Sequence, residues 1–287
     1  MDGNEAGAGT AGMIARSQSK ARILRLAVAV GIAGVFLAPF VYLLLGSLAK
    51  NFNLAGTLDL ANYSFTLANY SSLFTQAGLY RPLINSIIVA LIVTLGNVLF
   101  CTLCGYVLAR RRFKGKNLVM LSVVMVLMIP THVVIIPMYL LTNWLGIFDS
   151  YLALILPFLV TPLGVFLMRQ YISTLPADME ESARLEGASE WTIVWKIVMP
   201  LCKPALAVLS VQVFLVNWNS FIYPFILTSS ESMRTLPVAL ALLQGYQSIN
   251  IPQLFAASMI SALPTTILFI VFSRRITEGI ISGALKG

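Results

Sequence analysis

Long apolar runs govern what this chain can become. Six of them recur along the sequence, over residues 25–49, 83–109, 118–141, 151–171, 204–227 and 256–272. A helical run of about 20 residues matches the roughly 30 Å hydrocarbon core of a bilayer. Within lipid each backbone N–H and C=O must pair inside its own segment, and a barrel would instead show strands of about ten residues with alternating polarity. The expected fold is therefore an all-α membrane protein with six transmembrane helices. Composition agrees, since 58% of the 287 residues are hydrophobic and 10% are charged, against about 25% charged in soluble domains. Pro39, Pro130, Pro137, Pro157, Pro162, Pro224 and Pro264 fall inside the runs and are expected as kinks, because neighbouring helices satisfy the freed carbonyls. The first run follows a basic stretch and imitates a secretory signal. Its apolar core exceeds the about 7–15 residues of such signals, so it is read as a membrane anchor.

Basic residues set the orientation, because short loops rich in Lys and Arg stay in the cytoplasm. Arg16, Lys20, Arg22 and Arg25 lie before or at the start of the first run, Arg110, Arg111, Arg112, Lys114 and Lys116 follow the second, Arg169, Arg184, Lys196 and Lys203 lie at or beyond the end of the fourth, and Arg274, Arg275 and Lys286 follow the sixth. Of the 19 basic residues only Lys50, Arg81 and Arg234 fall on the other side. Both termini are thus expected in the cytoplasm, and the net charge of +8 is a topology signal rather than a nucleic-acid footprint. Residues 1–22 are small, polar and unpatterned and are expected as a disordered cytoplasmic tail, with the transmembrane domain over 23–287. Cys101 and Cys104 lie one helical turn apart in an apolar run with no further thiol or imidazole nearby, and read as packing residues rather than a metal or redox pair. No metal site is expected.

One inner loop, 172–203, is too long and too patterned to be a connector. Pro176 suits a first helical turn, and Asp178, Glu180 and Glu181 place negative charge at the positive end of the helix dipole. That helix is expected to reach Leu185 and stop at Gly187, free to adopt the left-handed conformation that ends helices. Ser189 then caps a second helix with Trp191, Val194, Trp195 and Val198 on one apolar face. Pro200 and Pro204 end it and return the chain to the membrane. The loop reads as a helix–turn–helix that presents Glu181, Ser182, Ala183 and Arg184 as a knob for a partner's groove.

Glu181-Ser182-Ala183, then Gly187, Ile197 and Pro200 at their spacings, resembles the "EAA" loop of membrane subunits of bacterial ABC importers. Ser182 and Met199 depart mildly from that pattern. Over about residues 69–287 the chain is similar to the carbohydrate-uptake branch, and within it to the MalG subunit of the maltose importer. The resemblance includes Asn85-Ser86, Ile129-Pro130, Ile136-Pro137, Leu145-Gly146, the stretch from Phe166 to Gln170, the stretch from Leu185 to Ser189, Trp218-Asn219, and the tail from Gly279 to Gly287. It implies a six-helix MetI-like permease core in the bacterial inner membrane. It implies as partners a second permease subunit, two ATPase subunits, an external substrate-binding protein, a carbohydrate substrate and membrane lipid. It also implies that Ser282, Gly283, Lys286 and Gly287, in the cytoplasmic tail 274–287, touch the ATPase subunits. The sequence has no G-x-x-x-x-G-K-[ST] phosphate loop, so ATP and Mg are expected on the partner subunits, and this chain is expected to bind no cofactor and to be no enzyme.

Two further groups invite chemistry. His132 is the only histidine, and no Asp or Glu lies in any run, which disfavours a proton relay and an ion-coupled secondary carrier. Gln212, Asn217, Trp218, Asn219 and Tyr223 cluster in the fifth run. Amides and aromatic faces suit uncharged sugars, so the cluster is a substrate-path expectation, while hydrogen bonding between helices is the alternative. A membrane enzyme would need a nucleophile, acid–base pair or metal cluster, and none is present. Glycerol phosphate and uronic-acid oligosaccharide importers share this scaffold, so polyol or anionic cargo stays open beside neutral sugar.

Overall fold

The structure, a computed structural model, describes the backbone of residues 5–50, 63–245 and 251–284, and the side chains of 22–50, 63–243 and 251–272. Among the described residues every regular element is a helix, apart from one isolated antiparallel bridge between Ala49 and Phe65. The chain forms two compact units, residues 1–70 with 250–259, and residues 71–249 with 260–287.

The first unit is built on α1 (Glu5–Ser47). That helix begins inside the segment expected as a disordered tail. Once the apolar part has nucleated a helix, each further residue adds a hydrogen bond for one more pair of fixed dihedrals, and Ala, Glu, Arg, Gln and Lys propagate it well. The last carbonyls of a helix lack intrahelical partners. Here the buried Asn69, at the start of α2 (Ala68–Thr75), donates from Nδ2 to the oxygens of Ser47 at 2.9 Å and Ala49 at 2.8 Å.

The second unit holds α3 (Tyr80–Arg110), α4 (Lys116–Leu127), a 3-10 turn (Thr131–Val134), α5 (Ile135–Trp144), α6 (Tyr151–Ile155), a 3-10 turn (Leu156–Phe158) and α7 (Pro162–Ser173). Next come α8 (Asp178–Leu185), α9 (Glu190–Ile193), a π turn (Val194–Val198), α10 (Met199–Leu201), α11 (Lys203–Trp218), α12 (Ile222–Leu227), a 3-10 turn (Glu231–Met233) and α13 (Leu236–Gly245). The last helix, α14 (Ile251–Ala284), contributes to both units.

The core of this unit forms where α3 packs on α7 and α11. Gly105 permits it, since a Cβ there would lie 2.7 Å from the Met168 Cβ and 2.8 Å from the Arg169 nitrogen. Pro162 opens α7 without an N–H to offer the carbonyl of Phe158, four residues back. The Asn97 side chain of α3 supplies that bond instead, Nδ2 donating to Phe158 O at 3.0 Å. Cys101 and Cys104 are free thiols; Cys101 is buried with its Sγ 3.1 Å from Asn97 Oδ1, in keeping with packing, whereas Cys104 is exposed and is not a core packing residue.

Among the described residues four helices are long and apolar enough to cross a membrane, Arg22–Ser47, Tyr80–Arg110, Tyr151–Ser173 and Ile251–Phe272. Two bent pairs, Lys116–Leu127 with Thr131–Trp144 at 97° and Glu190–Leu201 with Lys203–Trp218 at 79°, raise the number to six if each counts as one span. The third apolar run is thus broken rather than kinked. Pro130 sits at φ −59°, ψ 126°, outside helical geometry, and Pro137 falls in the first turn of α5, where its missing N–H costs nothing. The fifth run also ends early, with α11 stopping at Trp218 before α12 starts at Ile222.

Candidate functional site: a two-helix loop at the basic end of α3

The loop between α7 and α11 has the two helices read from the sequence. Asp178, Glu180 and Glu181 occupy the first turn of α8, while Pro176 stands just ahead of that turn. Gly187 has φ +83° and ends the motif, with its N–H 3.0 Å from Arg184 O and that of Ala188 2.9 Å from Ala183 O. Ser189 caps α9, its Oγ accepting from Thr192 N at 3.2 Å. The apolar face differs from expectation. Ile193, Val194 and Val198 are buried, whereas Trp191 and Trp195 are exposed and stack edge to face at 5.6 Å. The π turn over Val194–Val198 shifts the register there, since each such turn inserts an extra residue into the α repeat.

Glu181 and Ser182 are exposed, Ala183 is half-buried, Ile197 is half-buried against the core, and Pro200 is exposed. Arg184 behaves otherwise. It turns away from the knob, its Nε donating to Glu190 Oε1 at 2.9 Å and its Nη2 to Tyr106 OH at 3.1 Å. Tyr106 donates in turn to Glu190 Oε2 at 3.0 Å, and Arg111 pairs with the same carboxylate. Beside this cluster Arg110 Nε meets Glu180 Oε1 at 2.7 Å. The hydrogen bond from Arg184, with help from Arg111 and Tyr106, holds the Glu190 carboxyl down at about 2, and the Glu190 contact raises the Arg184 guanidinium. Sequence reasoning missed Tyr106, Arg110, Arg111, Glu180 and Glu190 as a group. The available signal was that basic and acidic residues fall on two loops assigned to one side of the membrane.

At the opposite end of α3, Asn85 is buried and its Nδ2 donates to the oxygens of Ser232 and Arg234, both at 2.8 Å, while its Oδ1 accepts from Tyr151 OH at 2.6 Å. Ser86 Oγ accepts from Leu236 N at 2.7 Å. Asp149 Oδ1 accepts from Ser229 N, Ser230 N and Ser230 Oγ at 3.0–3.1 Å. These bonds fix residues 229–236. They rim a cavity of about 620 Å³ lined by Arg81, Arg234, Glu231, Gln76 and Leu242 among others.

The polar cluster of the fifth run is dispersed. Trp218 is buried, stacks on Phe214 at 5.8 Å and donates from Nε1 to Ser261 O of α14 at 2.9 Å. Asn217 and Asn219 donate to Val213 O and Leu215 O of their own helix, both at 2.9 Å, and Gln212 is half-buried. Tyr223 lies beyond the helix end, its OH 2.8 Å from Thr131 O. His132 is exposed on the adjoining 3-10 turn. Among the described residues no group of three or more His, Cys, Asp or Glu could hold a metal. Ser282 and Gly283 belong to the α14 backbone, and Lys286 and Gly287 lie outside the described residues.

Comparison with known proteins places this architecture. Residues 101–280 match the family described as binding-protein-dependent transport system inner membrane component. The chain belongs to that family. It is 35% identical over 257 residues, 88% of this chain and 92% of the relative, to the arabinooligosaccharides transport system permease protein AraQ of Bacillus subtilis. It is 34% identical to the trehalose/maltose transport system permease protein MalG of Thermococcus litoralis, covering 95% of this chain and 99% of that one. One chain from the crystal structure of a bacterial ABC transporter involved in the import of the acidic polysaccharide alginate shares the permease's fold. Its TM-score is 0.80 at 22% identity, covering 90% of this chain and 97% of that one. The permease is accordingly a non-catalytic, multi-pass inner-membrane subunit.

Proposed function

We propose that this permease forms half of the translocation pore of an ATP-driven importer that receives a mono- or oligosaccharide from an external binding protein. The relatives named for arabinooligosaccharides and for trehalose and maltose support the substrate class. Six spans follow from the apolar runs, the fifth taken over 204–227 so that 190–201 stays in the loop, and cytoplasmic termini follow from the charge distribution, with the permease domain over 23–287. A second permease completes the pore, and two ATPase subunits supply energy with their own ATP and Mg. Residues 172–203 form the coupling loop.

The observation that carries this reading is the surface of α8, where Glu181 and Ser182 are exposed and Leu185 is 91% exposed beside the Gly187 turn. An apolar side chain held out by a short helix, flanked by a charge, is what a partner's groove captures. Ala183, Ile197 and Pro200 shape the helix and its return to the membrane. Arg184 contributes from inside the loop. The tail 274–287, with Ser282, Gly283, Lys286 and Gly287, reaches the ATPase subunits, and Gln212, Asn217, Asn219 and Tyr223 border the sugar path, with Trp218 holding α11 to α14.

Anionic cargo is a second reading, favoured by the cavity between Arg81 and Arg234, in which Arg81 has no carboxylate partner among the described residues. The deciding experiment begins with a binding screen of the cognate external protein against neutral sugars, uronic-acid oligosaccharides and glycerol phosphate. The assembled complex, carrying Glu181→Lys, is then tested for retained ATPase subunits and for hydrolysis stimulated by the loaded binding protein. Reversing that charge is expected to lower stimulation several-fold. Wild-type stimulation would remove α8 from the coupling path.

A further inference from the structure

Helix α8 has an unusual means of support. A short helix ordinarily joins a protein by burying an apolar stripe, because packing rather than propensity stabilises it. In α8 the only buried residue is Glu180, at 2% exposure, while Met179 and Leu185 stand exposed. The next helix differs, since Ile193, Val194 and Val198 anchor it in the core. Polar contacts therefore fix α8, first the buried Glu180 carboxylate and beside it Arg184 on Tyr106 of α3, with only the half-buried Ala183 packed against the core.

One guanidinium meets that carboxylate at hydrogen-bond distance. Arg110, at the last turn of α3, has a side chain 14% exposed and donates from Nε to Glu180 Oε1 at 2.7 Å. Its Nη2 donates to Leu175 O at 2.8 Å, in the connection that leads from α7 into α8. The planar fork thus grips both the helix and the strand of chain entering it, which a lysine ammonium cannot do from one position. From the far side Arg184 Nη2 comes within 3.5 Å of Glu180 Oε2, an oxygen that makes no hydrogen bond. A buried ion pair adds little net stability over apolar packing, yet removing one partner leaves a buried charge uncompensated. Such a pair serves orientation better than it serves stability.

We propose that Arg110 is the positioning residue of the coupling helix, fixing α8 to the inner end of α3 through Glu180 so that the span and the exposed docking residues move as one body. The inference rests on the reading of α8 as the element that docks the ATPase subunits. It assigns Glu180 and its neighbour Glu181 opposite duties, one tethering inward and one facing the partner.

The test uses hydrogen–deuterium exchange on the full chain in lipid nanodiscs, and subunit retention and stimulated hydrolysis in the assembled complex. Arg110→Ala and Arg110→Lys should each raise exchange over residues 179–186 by about tenfold or more, leaving 190–201 and 86–105 at wild-type protection. Glu180→Gln, which keeps an acceptor for Arg110, should raise it less. The double variant Arg110→Glu with Glu180→Arg should recover part of the protection, a rescue that general destabilisation would not give. Unchanged exchange in α8 with Arg110→Ala would overturn the proposal, as would an equal rise across α3, α7 and 190–201. Loosening of α8 with wild-type stimulated hydrolysis would uphold Arg110 as its tether and instead overturn the docking role of α8.

Discussion

The two ends of α3 hold their loops by different chemistry. On the side expected to be inner, the 172–203 loop is fixed by charge, through Arg110 with Glu180 and through Arg111, Arg184 and Tyr106 with Glu190. On the side expected to be outer, residues 229–236 are fixed by side chains that bond backbone, through Asn85, Ser86 and Asp149. A side chain-to-backbone bond fails within a few tenths of an ångström or a modest change of angle. Attraction between charges decays far more slowly with distance. The segment at the Asn85 end is therefore a geometrically fixed rim, whereas the loop at the Arg110 end is held to α3 by contacts that survive small changes of distance.

The largest effect should come from the rigid side. Asn85→Ala leaves the Arg234 carbonyl and the Tyr151 hydroxyl without this partner at a part-buried place, and leaves the Ser232 carbonyl with only the longer contact from Arg81 Nε at 3.4 Å. At about 1–3 kcal/mol for each buried group left unpaired, with relaxation and water recovering part of it, the loss should be about 2–4 kcal/mol. Thermal unfolding of the purified chain in detergent measures it. A change below about 0.5 kcal/mol, the range of inconsequential surface substitutions, would show that the rim is not held there and would erase the contrast.

Next in size is Gly187→Val in the 172–203 loop. A Cβ at Gly187 meets no atom within 4 Å, so the cost is backbone strain at φ +83° and not a clash. About 1–2 kcal/mol is expected for a side chain in the left-handed region. The chain should insert with all its spans while the assembled complex loses ATPase subunits, checked by co-purification. Full retention would mean that the turn tolerates displacement even beyond what the charged contacts allow.

The same contrast explains what the sequence disclosed. Gly187, Ser189 and the acids at 178–181 announce a helix–turn–helix, because turn and cap chemistry is local and needs no neighbour. Glu180 and Glu181 are indistinguishable in that reading, as both suit a helix N-terminus. Only the packing of α8 on α3 turns one inward to 2% exposure and leaves the other outside. Pro130 is similar. A proline in an apolar run reads equally as a kink or a break, and whether neighbouring helices fill the gap decides for the 97° bend. Trp218 reads as a sugar platform beside two asparagines, yet its indole N–H reaches Ser261 O across to α14, a contact that depends on a helix more than forty residues away.

The smallest expected effect separates the two ends by pH. Glu190 is held at about 2 against its ordinary 4.5, first by the hydrogen bond from Arg184 and then by Arg111 and Tyr106. Because its folded value is depressed, ionised Glu190 stabilises the loop fully above about pH 5, and that contribution fades as pH falls from 4.5 toward 2. Its side chain is 44% exposed, so water and salt screen the pairing and the effect is small. Glu190→Gln keeps the acceptor oxygen and removes the titration, and every other acid is common to both proteins and cancels in their difference. The wild type should therefore melt above Glu190→Gln near neutral pH, with the gap narrowing as pH is lowered toward 3. For Asn85→Ala, whose lost bonds carry no titrating group, the gap from wild type should stay level across the same range. A constant gap for Glu190→Gln, or a pH-dependent one for Asn85→Ala, would mean that charge does not distinguish the inner attachment from the outer one.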